Sequence, residues 1–152
     1  MHGLLYRCAA VALISMAFTP ASPAADAAKP HHIAIQVDQS DPQVMNLALG
    51  NANNVIEYYR AKNEEVDIDI VAFGPGLHML RTDTSPVQDR VKRLKDMIFP
   101  GKIQFSACNN TKQGMEKAEG HAISILPEVT VVPSGVVHLM ELEEQGWSYV
   151  RP

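Results

Sequence analysis

Cysteine is nearly absent from this chain, with two residues in 152, Cys8 and Cys108. A long apolar run is also missing: Cys8 to Phe18 is the longest early stretch, and it falls short of the roughly 20 residues that a spanning helix needs. No later segment approaches that length, so no membrane span is expected after the first 25 residues. An excess of positive charge is lacking as well. Beyond residue 25 there remain 12 basic against 17 acidic residues, a net charge near −5, which argues against nucleic acid as a partner. The sequence carries no repeats and no internal linker. It also lacks the three spaced glycines after the first strand that a dinucleotide fingerprint requires, so Gly74-Pro75-Gly76 is a tight turn.

What is present begins with an export signal. Met1 to Arg7 holds one arginine and no acid, Cys8 to Phe18 is apolar, and Thr19 to Ala25 is rich in Pro, Ala and Ser. Residues 1–25 are therefore expected to be a signal peptide, cleaved after Ala24, Ala25 or Ala27, and the protein to be periplasmic or secreted. Charged Arg7 before Cys8 is wrong for a lipoprotein cleavage site. Cleavage leaves Cys108 without an intramolecular disulfide partner, open to intermolecular pairing, reactivity or burial. The remaining 127 or so residues suit one domain, expected over 31–152.

Short runs rich in β-branched residues alternate with segments of helical period, the pattern of an α/β domain whose sheet is mostly parallel. Five strands are expected: Ile33 to Val37, Asp67 to Phe73, Lys102 to Ala107, Val129 to Val132 and Trp147 to Val150, the last at an edge. Between them, a helix runs from the Asp38–Pro42 segment to about Lys62. Met45, Ala48, Leu49, Ala52, Val55, Ile56 and Tyr59 form its inner stripe. A second helix runs from Ser85-Pro86 to near Phe99-Pro100-Gly101, with Arg90, Lys92, Arg93 and Lys95 on its solvated face. A third is capped by Asn109, Asn110 or Thr111 and ends at Gly120, and a fourth spans Val136 to Gln145. Met45, Met97, Met115 and Met140 lie on apolar stripes and are assigned to the core.

Ligands of open α/β sheets bind outside the carboxyl ends of the strands. Collected along that edge are Asp38 and Ser40 after the first strand, Gly74, Gly76 and His78 after the second, Cys108, Asn109, Asn110 and Thr111 after the third, and Ser134 and Gly135 after the fourth. Cys108 is the candidate reactive group, the others candidate substrate contacts. A thiol where a strand ends and a helix begins gains from free N–H groups and the helix dipole, which favour the thiolate. The competing reading is a buried structural cysteine. His31 and His32 enter the first strand pointing to opposite faces and are expected as solvated termini. Asp38 and Asp41 are expected as helix caps.

Four segments in order carry a family resemblance: Val71-Ala72-Phe73-Gly74-Pro75-Gly76, Ala107-Cys108-Asn109-Asn110-Thr111, Val131-Val132-Pro133-Ser134-Gly135-Val136, and Gln145-Gly146-Trp147-Ser148-Tyr149-Val150-Arg151-Pro152. The chain resembles the DsrE/DsrF family, some of whose members relay sulfur as a cysteine persulfide. The resemblance implies a flavodoxin-like three-layer α/β/α sandwich, a homo-oligomer (trimer or hexamer), and Cys108 as the sulfur-accepting residue; a small sulfur compound or a sulfur-donor protein is the expected partner, and no cofactor is expected. Unlike the cytoplasmic relay proteins, this chain carries an export signal.

Three function classes follow. In the first, Cys108 is a sulfur carrier's persulfide or mixed-disulfide site; in the second, it binds a soft metal such as Cu(I) with His78 or Met79; in the third, it is inert in an oligomeric structural or ligand-sensing domain.

Overall fold

The structure, a computed structural model, describes residues 30–97 and 100–152; the expected signal peptide lies outside the described residues. The chain runs β1 (His31–Val37), α1 (Pro42–Ala61), β2 (Val66–Ala72), a 3-10 turn (Gly74–Leu80), α2 (Gln88–Lys95), β3 (Gly101–Cys108), α3 (Asn109–Glu119), β4 (Thr130–Val132), α4 (Gly135–Glu144) and β5 (Ser148–Val150). The five strands form one sheet in the order β4-β3-β2-β1-β5. Every pairing in it is parallel.

This order dictates the layers. β1 to β4 step in one direction across the sheet, and right-handed crossovers place their connecting helices on one face. The return from β4 to β5 crosses back to the far edge, so α4 covers the opposite face. Packing follows the same division. Ile35, Val37, Ile68, Ile70, Ile103 and Phe105 pack with Met45, Leu49, Ile56, Val91 and Leu94 in the main core. On the other face a smaller cluster joins Ala34 and Val71 to Leu139 and Leu142 of α4, with Phe73 and Trp147 against it. The result is a three-layer α/β/α sandwich with one thick side and one thin side.

Local chemistry explains where the elements start and stop. α1 opens on Asp41, whose carboxylate accepts from the Gln43 N–H at 2.8 Å, with Pro42 in the first turn. Its expected stripe is the one that packs inward. Asp38, by contrast, caps nothing: it accepts from Gln36 Nε2 and Arg151 Nη2, both at 2.9 Å, and ties β1 to the segment after β5. α2 begins three residues later than Ser85, because the Ser85 hydroxyl bonds the Met79 carbonyl and the Val87 N–H and holds a turn instead. It ends at Lys95, earlier than expected, where the Asp96 N–H closes back on Lys92 and Leu94. Gly120, at φ 75°, ends α3 in the left-handed conformation. Met140 is 53 % exposed and lies on the outer face of α4, not in the core.

Candidate functional site

β3 ends on Cys108 and α3 begins on the next residue, so the cysteine itself is the N-cap. The three expected capping residues, Asn109, Asn110 and Thr111, are instead the first turn of the helix. Sγ accepts from the Thr111 N–H at 3.4 Å, the bond that a serine or aspartate oxygen makes at most helix starts. The Thr111 hydroxyl accepts from the Gly74 N–H at 2.9 Å, which leaves its own proton free for the sulfur. Gly135, the first residue of α4, approaches from the other side.

The cysteine is 5 % exposed. Burial is the largest single influence on the thiol and pushes its pKa up; the Thr111 hydroxyl and the N–H groups of Gly135, Thr111 and Asn110 act the other way and together hold it below the ordinary thiol value. Asn110 contributes least, and its N–H is also donated to the Pro133 carbonyl at 3.2 Å. That bond has a second effect: it joins the start of α3 to the loop that starts α4. The N-terminal ends of two helices, one on each face of the sheet, thereby meet at one sulfur.

Two glycines make the close approach possible. A Cβ on Gly135 would stand 3.0 Å from Phe73 Cβ and 3.2 Å from Cys108 Cβ. A Cβ on Gly76 would lie 2.1 Å from the Val37 carbonyl oxygen, a backbone atom that cannot swing aside. Gly74, Gly76, Thr111, Gly135 and Cys108 are thus gathered at the carboxyl edge as the strand order demands. Ser134 takes part indirectly, capping α4 by accepting from the Val137 N–H at 3.4 Å. His78 is turned to another task, with Nδ1 2.9 Å from Thr84 Oγ1. Met79 is fully buried in the main core, on the sheet face opposite Cys108. The soft-metal set of Cys108 with His78 or Met79 is not assembled. Among the described residues no cluster of three or more His, Cys, Asp and Glu is arranged to hold a metal ion.

One polar cluster was missed by sequence reasoning. Asp69, 2 % exposed, sits in the middle of β2 on the α4 face. Its Oδ2 accepts from His138 Nε2 at 2.8 Å, from Gln104 Nε2 at 3.0 Å and from Ser106 Oγ at 3.1 Å. Its Oδ1 is buried and has no partner. Ser106 and Asp69 both approach the same ring nitrogen of His138, whereas a hydrolytic triad needs them on opposite nitrogens. Nucleophilic serine chemistry is excluded on that geometry. The available signal was in β2: acids at 67 and 69 alternate along a strand that, central in a parallel sheet, should be apolar on both faces.

A second polar cluster anchors α3, which has no fully buried residue of its own. Arg81, 1 % exposed, places its guanidinium on both carboxylate oxygens of Asp83 and both of Glu119. At the opposite, amino edge of the sheet, a cavity of about 610 Å³ is lined in part by His31, His32 and Tyr59. The two histidines do face opposite sides, but neither is a free solvated end. His31 stacks on Tyr59 at 3.9 Å and pairs with Glu64 at 2.9 Å, while His32 lies against Trp147 and near Asp67.

Fold and site together define a class: a parallel α/β domain that seats a single thiol between two helix N-termini at its carboxyl edge. Among solved structures, the chain is similar to MTH1491, a protein of unknown function from Methanobacterium thermoautotrophicum, at 31 % identity over 80 % of this chain and 99 % of that one, with a TM-score of 0.66. The chain belongs to the family of that archaeal protein. No family model and no curated protein matches it. No helix of the described residues is long and apolar enough to cross a membrane.

Proposed function

We propose that this protein is an exported sulfur carrier in which Cys108 accepts sulfur as a persulfide or mixed disulfide. The observation that carries the reading is the donor set around Sγ: a thiol most of the way buried would ordinarily stay protonated, yet here N–H and O–H groups from two helix starts and the turn between them favour its anion. The thiolate is the attacking form. With a persulfide donor R–S–SH it attacks the outer sulfur, the donor's S–S bond breaks, Cys108 becomes Cys–S–SH, and R–S⁻ leaves to take up a proton. Bond count and oxidation level balance without a further reagent.

The DsrE/DsrF resemblance supports the same reading, and with it a trimer or hexamer. An exposed apolar strip on α4, Val136, Val137 and Met140, with Tyr149 of β5 on the same sheet face, is the surface we assign to self-association. Periplasmic or secreted location rests on the pattern of residues 1–25. The test is intact mass after incubation with glutathione persulfide or thiosulfate. The expected result is a gain of one sulfur that reductant reverses and Cys108→Ser abolishes. No gain from either donor would reject the carrier, and a monomer mass by light scattering would reject the assembly.

A further inference from the structure

A sulfur carrier must do more than hold a thiolate, because each transfer expels a second one. An alkyl thiolate is a poor leaving group near neutral pH, and exchange is faster when the leaving thiol is more acidic. A group that protonates the departing sulfur would remove that handicap. Such a group should not stand beside Sγ. In an in-line exchange the attacked sulfur lies between Sγ and the leaving sulfur, so the proton donor belongs about 4–5 Å plus one hydrogen bond away from Sγ.

Strand rise and helix pitch put the Asp69–His138 pair at about that remove. Ser106 precedes Cys108 by two residues on the same face of β3, about 6.6–6.8 Å along a strand, and its hydroxyl is 3.5 Å from His138 Nε2. On the helix side, Gly135 packs against Cys108, and His138 follows it by about one turn. Asp69 binds Nε2, fixing the ring's orientation and tautomer, while Nδ1 has no hydrogen-bond partner among the described residues. The ring lines a cavity of about 240 Å³ with Val132, Pro133, Ser134, Val137 and Glu141. Val132 is the register partner of Cys108, so one wall of this cavity is the residue beside the cysteine on the next strand. A buried carboxylate with one oxygen left bare adds an independent sign. Folds seldom keep an unpaired buried acceptor, and those kept call for an explanation beyond packing.

We infer that His138 is the proton-transfer residue of sulfur exchange at Cys108, with Asp69 and Ser106 as its positioning residues and small alkyl persulfides or disulfides as the donors it serves. This rests on the carrier reading above. In loading, Cys108 S⁻ attacks R–S–SH or R–S–S–R, the S–S bond breaks, and the proton on Nδ1 passes to the departing R–S⁻, giving R–SH. The neutral ring is reprotonated from water. In unloading, the neutral Nδ1 takes the proton of the incoming thiol. Histidine is suited to both directions because one ring nitrogen can give up or take a proton while the other stays bonded to its partner. Apart from the ring itself, the lining is three apolar side chains, a serine and a carboxylate with no lysine or arginine, which suits a neutral or amine-bearing alkyl group better than an anion such as thiosulfate.

The experiment compares two leaving groups on one preparation. Modification at Cys108, located by mass, is timed with an aryl disulfide that releases thionitrobenzoate, an acidic thiol needing no proton donor, and with cystamine, which releases an alkyl thiolate. In His138→Gln the ratio of cystamine rate to aryl rate should fall at least about tenfold, the lower range of general acid catalysis being about a hundredfold. Added imidazole should restore part of it in His138→Gly. Because the ratio is taken within one sample, a partly unfolded fraction cancels. An unchanged ratio, both rates moving by one factor, would overturn the inference. Failure of the wild-type protein to gain sulfur from any persulfide would instead end the carrier reading, and the ratio reports independently of it.

Discussion

Thr111→Val is the sharpest probe of the thiol's surroundings, because it keeps shape and removes one hydroxyl. That hydroxyl accepts from the Gly74 N–H at 2.9 Å, so its proton is directed to the other side, toward Cys108, where it helps lower the thiol pKa. A hydrogen bond to a charged partner contributes about 1.5–3 kcal/mol. Because the Thr111 and Gly135 N–H groups remain in place, the lower end applies, and about tenfold of the thiolate population near neutrality should be lost. The assay is iodoacetamide alkylation of Cys108 against pH for wild type, Thr111→Val and Thr111→Ser. The valine variant should show a midpoint moved up toward the ordinary thiol value of about 8.5, while the serine variant, which retains the hydroxyl, should stay with wild type. Rates of all three should converge at a pH above every midpoint, since ionisation and not access was changed. Stability should fall by about 1 kcal/mol in the valine variant, because the Gly74 N–H loses its acceptor. A midpoint in Thr111→Val equal to or below that of wild type would refute the donor-set account of Cys108.

The two glycines of the site should rank by what a Cβ meets. Gly135→Ala, facing the side chains of Phe73 and Cys108, should cost about 1–3 kcal/mol in urea unfolding and slow alkylation; Gly76→Ala, facing the Val37 backbone, should cost more, and the reverse order would contradict the packing. Arg81→Met should be destabilising near neutrality, with a gap to wild type that narrows in acid. Asp83 is held down to about 2, from an ordinary 3.8, by its hydrogen bonds from Arg81, and Glu119 is lowered by the same guanidinium. Groups with depressed folded values contribute above their unfolded values and lose that contribution as pH falls through the folded ones. Unfolding free energies at about pH 6 and about pH 3 should therefore lie further apart in wild type than in the variant.

The fold was legible where local rules decide it. Alternating strand and helix periods, Pro42 at a helix start and the stop at Gly120 each placed an element within a few residues. Boundaries slipped where a side chain was drawn to a tertiary partner. Ser85 looks like a helix start until its hydroxyl finds the Met79 carbonyl, and Asp38 looks like a cap until Arg151 and Gln36 reach it. At the site, the position of Cys108 and its grouping with Gly74, Gly76 and Gly135 followed from the segments that leave the carboxyl ends of parallel strands. The role of Cys108 as its own helix cap did not, because asparagine and threonine are the better caps and only the backbone path shows which residue stands at the turn. Asp69 and His138 are separated by 69 residues and meet only because α4 returns across the sheet. No spacing rule joins them; the only local trace was a carboxylate alternating into a strand that needed none.

That return crossover also explains why the thiol's chemistry should be sensitive to distant changes. Sγ draws donors from α3 on one face of the sheet and from α4 on the other. α3 has no fully buried residue and is fastened through Arg81 to Glu119. α4 is seated by a small cluster around Leu139 and Leu142 and by the bond from His138 to Asp69. Neither helix has the deep apolar footing of α1. Loosening either withdraws N–H groups from the sulfur while the main core, which lies on the far side of β3 from Cys108, stays intact. Changes in the footing of α3 or α4 should therefore move reactivity at Cys108 more than they move the main core. The same thin face that leaves α4 lightly seated also exposes its apolar strip, so a partner copy docking there would tighten α4 and strengthen the thiolate together. On the proposed reading, assembly and sulfur chemistry would be coupled through one helix.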